Sequence, residues 1–98
     1  MDGEAKRKAV CAELVRLLSD ERKRQTMSMN VLAAKSGLSQ SFISMFESLP
    51  ANPTTDTLLR ISEALGLDAG DVLKQALGNL SAHGEPKAPG RRRTKPRA

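Results

Sequence analysis

The stretch SMNVLAAKSGLSQSFISMFES, residues 28–48, reads as two short helices joined by a tight turn. Ser28 suits the cap of the first helix, because its hydroxyl oxygen can accept a hydrogen bond from a backbone N–H that has no partner within the helix. Leu32 and Ala33 form the inward side of that helix, and Ala33 is small where two helices must cross closely. Gly37 is suited to the positive φ that ends the first helix and starts the turn. Leu38 plugs the inside of the turn, and Ser39 is the expected cap of the second helix. Ile43 and Phe46 then point at helical spacing toward the same core as Leu32, which leaves Gln40, Ser41, Ser44 and Met45 looking outward.

The remainder of the chain bounds what such a unit can do. Ninety-eight residues, 39% of them hydrophobic, allow one domain with a small core. Phe42 and Phe46 are the only aromatic residues, so the core is aliphatic and no stacking platform for single-stranded nucleic acid exists. Cys11 stands alone and cannot form an internal disulfide, and with one histidine, His83, no common metal-ligand spacing is present. There is no signal-like apolar run and no stretch of membrane-spanning length, which points to a cytoplasmic protein with no membrane partner. The net charge of +5 is unevenly placed. Six of the sixteen basic residues, Lys87, Arg91, Arg92, Arg93, Lys95 and Arg97, fall after residue 78 against the single acid Glu85, while residues 1–78 balance at ten of each sign. The basicity therefore belongs to the C-terminal segment.

The periodicity predicts five helices. The first spans about residues 4–25, with Val10, Leu14, Leu17 and Leu18 on one stripe, and Thr26 and Met27 make its exit. The second runs from the Ser28 cap to about Ser36, and the third from about Gln40 to Ser48. Leu49 to Pro53 is a loop, since its two prolines cannot continue a helix. Thr54 or Thr55 caps a fourth helix with Leu58, Ile61 and Leu65 buried, ended by Gly66. Asp68 caps a fifth with an apolar face of Val72, Leu73, Ala76 and Leu77, stopped by Gly78. No strand pattern occurs. The expected organisation is an all-α domain over residues 4–78, followed by a disordered basic tail over 79–98, where Gly, Pro, Ser and Arg dominate.

Two helices with such a turn make the helix-turn-helix pattern, although residues 28–48 alone read equally well as an ordinary helical hairpin. Four linked pieces resolve this: LAAKSGLS (32–39), FISMFES (42–48), NPTTDTLLRISEALGLD (52–68) and the approach DERKRQTMSMN (20–30). Together they resemble the Cro/repressor-type helix-turn-helix domain of bacterial and phage regulators, the xenobiotic-response-element family, over about residues 14–77. The resemblance implies a five-helix domain that binds double-stranded DNA, with the helix at about 40–48 in the major groove. It also implies a structural pair in which Arg22, six residues before the Ser28 cap, bridges Glu47 and locks the recognition helix to the first helix.

Within that frame the residue chemistry assigns contacts. Gln40 is suited to adenine, whose N6 and N7 a side-chain amide can bond together. Ser41 and Ser44 can bond a base or a phosphate, and Phe42 and Met45 can meet thymine methyl groups, Phe42 having packing against the second helix as an equal alternative. Ser28, Met29, Asn30, Ser39, Asn52, Thr54 and Thr55 lie where helix starts meet the phosphate backbone. The chain departs from the family pattern in charge. Met29 stands where a glutamine is common, the loop after the third helix carries no charge, and Lys35 is the only basic residue from Thr26 to Leu59. Phosphate neutralisation supplies much of DNA affinity, so Arg91, Arg92, Arg93, Lys95 and Arg97 are the candidates to supply the missing charge. A domain this small reads few base pairs, which favours a homodimer, with Leu73, Leu77 and Leu80 as the expected contact. No catalytic constellation, cofactor motif or small-molecule effector site is evident. The leading expectation is a transcriptional regulator, a repressor or small autoregulating controller. The alternatives are an antitoxin-like interaction module on the same fold and a nonspecific nucleoid-type binder.

Overall fold

The computed structural model describes residues 2–48 and 52–83. It contains α1 (Gly3–Arg24), α2 (Met29–Ser36), α3 (Gln40–Ser48), α4 (Thr55–Ala64) and α5 (Ala69–His83), with no strand among the described residues. This is the expected all-α, five-helix architecture.

Each helix starts on a side-chain oxygen that accepts a backbone N–H three residues on. Asp2 takes that of Ala5 at 2.7 Å, Ser28 that of Val31 at 3.1 Å, and Ser39 that of Phe42 at 3.0 Å. Thr54 takes that of Thr57 at 3.1 Å, and Asp68 that of Asp71 at 2.9 Å. Three helices end in one way, with a left-handed residue that reverses the chain. Gly37 and Gly66 both have φ of 75°, and Thr26 has φ of 53°. In each case the next residue donates its N–H back to a carbonyl five residues earlier: Met27 to Arg22, Leu38 to Ala33 and Leu67 to Ser62. These bonds satisfy carbonyls that the helix end leaves open.

Gly78 departs from the expectation. It does not stop α5, which continues through it to His83. The extension has a tertiary cause: Asn79 donates to Glu13 of α1 at 2.7 Å, and Leu80 is half-buried. Packing against α1 overrides the low helix propensity of glycine, a cost of about 1 kcal/mol. Residues 79–83 thus belong to the helix, and the expected tail begins no earlier than residue 84, outside the described residues.

The core draws on every helix: Leu14, Val15 and Leu18 from α1, Leu32 and Ala33 from α2, Ile43 and Phe46 from α3, Ile61 from α4 with Leu65 at its C-cap, and Val72 and Ala76 from α5. On α4 the inward face is rotated from the expected stripe. Thr57 and Ser62 are buried beside Ile61, while Leu58 is only partly covered. Helix α5 runs back along α1, α2 packs on α3 and α4, and α3 also touches α1. Gln25 ties the last turn of the first helix to the fourth by donating to the Leu65 carbonyl at 2.8 Å. The α2–α3 unit is therefore braced on one side by α1 and on the other by α4.

Candidate nucleic-acid interface

The turn between α2 and α3 sets how α3 is presented. Gly37 turns the chain, Leu38 is half-buried under it, and Ser39 caps α3. Ile43, fully buried, and Phe46 anchor the inner face of α3. Phe42 stacks on Phe46 with ring centroids 6.1 Å apart and is itself partly buried against the core. On the opposite face Gln40 and Ser41 are exposed, Ser44 is half-exposed and Met45 is 51% exposed. Met29 is also drawn inward against the core, and the Gln40 amide lies 4.0 Å from its sulfur. Among the expected contact residues, then, Met29 and Phe42 are packing residues in the free protein.

The starts of α2, α3 and α4 present hydroxyls whose oxygens are already engaged as caps, at Ser28, Ser39 and Thr54. Capping uses the oxygen as acceptor, so the hydroxyl hydrogens of Ser28 and Ser39 are still available to an external acceptor such as a phosphate oxygen. Asn30 and Thr55 are exposed on the first turns of α2 and α4. Asn52 is exposed, and its Oδ1 lies 3.9 Å from the Cys11 sulfur, a contact that does not use the amide hydrogens.

The C-terminal end of α3 is clamped. Arg22 donates from Nε to Glu47 Oε2 at 2.7 Å and from Nη2 to Glu47 Oε1 at 2.9 Å. Its Nη1 donates to the Met27 carbonyl at 2.7 Å, and the Ser19 hydroxyl donates to Glu47 Oε1 at 3.1 Å. Both side chains of the pair are at most 10% exposed. The hydrogen bonds to Glu47 raise the Arg22 pKa, against the burial that opposes its charge. A planar fork on a carboxylate fixes direction as well as distance, so α1, the α1–α2 connection and the end of α3 form one rigid group.

Arg60 on α4 was not among the residues expected from sequence. Its Nε donates to Asp56 at 2.7 Å and its Nη1 to the Ser36 carbonyl at the end of α2 at 3.2 Å. The i,i+4 spacing from Asp56 is a legible signal for an ion pair on a helix surface. Its reach across to another helix is not.

Leu73 and Leu77 are 38% and 40% exposed on α5, and Leu80 is half-buried. With Val10, Cys11 and Leu14 of α1, Leu73 and Leu77 line an open groove of about 870 Å³. Arg91, Arg92, Arg93, Lys95 and Arg97 lie outside the described residues. Among the described residues no cluster of His, Cys, Asp or Glu is placed to hold a metal ion, and no helix is long and apolar enough to cross a membrane.

A polar-faced helix held between two supporting helices, behind a glycine turn, places the protein among the helix-turn-helix DNA-binding transcription regulators. The chain belongs to the Cro/C1-type helix-turn-helix family HTH_3, whose family model matches residues 18–72. Its structure is similar to that of the restriction-modification controller protein C.Esp1396I, solved as a point mutant. The identity is 22% and the TM-score 0.67, over 76% of this chain and 96% of that one. It is also similar to the clp gene regulator ClgR from C. glutamicum, at 23% identity and a TM-score of 0.59, over 76% of this chain and 92% of that one. At these identities the likeness is one of fold. No curated protein matches the chain.

Proposed function

We propose that the protein is a sequence-specific regulator of the small-controller or repressor type, which inserts α3 into the major groove of double-stranded DNA as a homodimer. One observation carries the reading: α3 exposes Gln40, Ser41 and Met45 on a single face, while the Arg22–Glu47 clamp holds that face in a fixed direction. Gln40 is the principal base reader, bonding adenine N6 and N7. Met45 supplies an apolar surface for a thymine methyl group. Ser41 and Ser44 bond a base edge or a phosphate. Ser28, Asn30, Ser39, Asn52, Thr54 and Thr55 hold the phosphate backbone and set the register. Phe42 and Met29 act from behind, by packing. The fold likeness to a restriction-modification controller supports the small-controller form of this reading.

The second copy docks through Leu73, Leu77 and Leu80, which offer an apolar α5 surface beside the groove on α1. Two copies related by a two-fold axis bind two half-sites about one helical turn apart.

Selection of bound fragments from a random duplex pool tests the reading. The expected product is an inverted repeat with adenine in each half-site, and Gln40→Ala relaxes the preference at that adenine. Enrichment of fragments without a shared motif indicates a nonspecific binder, and no enrichment indicates that the surface serves a protein partner. The scarcity of charge around α3 favours that last alternative over the nonspecific one, because nonspecific binding rests almost wholly on phosphate neutralisation.

A further inference from the structure

The recognition helix is clamped at its C-terminal end by one arginine from outside the helix-turn-helix unit, and a second arginine sits at the other end. We propose that Arg60 is a positioning residue for DNA binding: it fixes the α2–α3 turn, and through it the angle at which the start of α3 is presented. The proposal rests on the reading of α3 as the DNA-contacting helix.

Three observations place Arg60 in this role. Its Nη1 donates to the carbonyl of Ser36, the last residue of α2, at 3.2 Å. That carbonyl has no partner within the helix, and a cation beside it also meets the negative end of the helix dipole. The guanidinium lies directly against the turn, since a Cβ added at Gly37 would stand 2.8 Å from Arg60 Nη1. Gly37 is required for its φ of 75°, and the tip of the guanidinium lies where the glycine has no Cβ. Finally, the side chain is aimed by its own helix, because Asp56 accepts from Nε at 2.7 Å one turn earlier on α4.

The consequence follows from connectivity. Gly37, Leu38 and Ser39 alone separate the clamped Ser36 carbonyl from Gln40, the first residue of α3. A carbonyl held in place at the end of α2 fixes where these three residues begin. The inward contacts of Leu38 and the Ser39 cap then fix where they end. Two donors on different nitrogens of one planar group engage two elements at once, which a lysine ammonium on its flexible stem does not reproduce with the same geometry. Gln40 and Ser41, the residues nearest this end, depend on Arg60 as Glu47 depends on Arg22.

The test compares the wild type with Arg60→Ala, Arg60→Lys and Asp56→Asn. Each is titrated with a duplex enriched by the wild-type protein from a random pool and with an unselected duplex, at several salt concentrations and at temperatures where all are folded. Arg60→Ala is expected to weaken binding to the enriched duplex about tenfold, as the loss of one base-pair match would. The unselected duplex should change less than about twofold, and the dependence of log K on log salt should keep its slope. Arg60→Lys recovers part of the loss. Asp56→Asn, which keeps the cation and leaves only a neutral acceptor to aim it, weakens binding to the enriched duplex in the same direction. A slope reduced by about 0.9 together with tighter binding by Asp56→Asn makes Arg60 a phosphate contact and overturns the proposal. Unchanged affinity of Arg60→Ala, with only a lower melting temperature, reduces Arg60 to a stabilising residue and also overturns it. A wild type that enriches no duplex overturns the DNA-binding reading and this assignment together. If Arg60→Ala does not fold, Asp56→Asn alone decides, since a positioning role and a phosphate contact shift its affinity in opposite directions.

Discussion

Thr26 occupies the position that Gly37 and Gly66 occupy at the ends of the other two helices, with φ of 53° where a β-branched residue is strained. Its hydroxyl donates to the Gln25 carbonyl at 2.6 Å, a local bond that offsets part of the strain. A positive φ for a β-branched side chain costs about 1–3 kcal/mol. Thr26→Gly removes that cost but adds freedom to the unfolded chain worth about 0.5–1 kcal/mol. The net expectation is a gain of about 1 kcal/mol, read as a higher midpoint in thermal or denaturant unfolding. An unchanged or lower midpoint would show that the threonine contacts matter more than its backbone. The sequence marks Thr26 as a helix exit but does not reveal its φ, because a β-branched residue, unlike glycine, gives no sign of left-handed backbone.

At the scale of elements the energetics concentrate where helices meet. Removing one member of a buried, hydrogen-bonded ion pair leaves the other charge without its partner, at about 3–5 kcal/mol. Arg22→Ala is expected to lose about that much stability, since it strips Glu47 of two donors and the Met27 carbonyl of one. A double-mutant cycle with Glu47→Ala, measured by denaturant unfolding, should show strong coupling, and additive losses would mean that the pair acts as two separate residues. A second junction responds to pH. Hydrogen bonds from Arg24 and then Gln25 lower the Glu21 pKa from 4.5 to about 2, and Gln25 in turn holds the Leu65 carbonyl. The folded pKa is depressed, so the contribution is fully present above pH 4.5 and is lost as pH falls through about 2. Glu21→Gln should therefore be less stable than the wild type at neutral pH, with the gap closing across that acid window in a pH series of unfolding curves. A gap that stays constant with pH would remove Glu21 as its source.

For the whole molecule, the charge distribution governs affinity. Residues 1–78 are neutral overall, and the basic excess lies in the C-terminal segment. A chain truncated before Pro89 is expected to bind duplex DNA more weakly and with a flatter salt dependence, the slope falling by about 0.9 for each phosphate the segment neutralises. Equal affinities for both chains across several salt concentrations would show that the helical domain binds without that segment.

Much of this domain was readable before folding was considered. Ser28, Ser39 and Asp68 mark helix starts, and the Thr54–Thr55 pair a fourth that the structure assigns to Thr54, because capping is a bond between near neighbours, and Gly37 and Gly66 mark helix ends because left-handed backbone is a local property. The spacing of Leu32, Ile43 and Phe46 likewise determined which face of α3 stays outside. Other features were decided only by the assembled structure. Gly78 lies inside α5 because Asn79 finds Glu13 across the gap to α1, a bond between residues sixty-six positions apart. Met29 and Phe42 pack partly against a core that exists only once the helices are assembled. Arg60 meets Ser36 only once α4 lies against α2. Capping and periodicity act within a few residues and are written in the sequence itself. Reach across elements depends on how the helices pack, which no local pattern specifies.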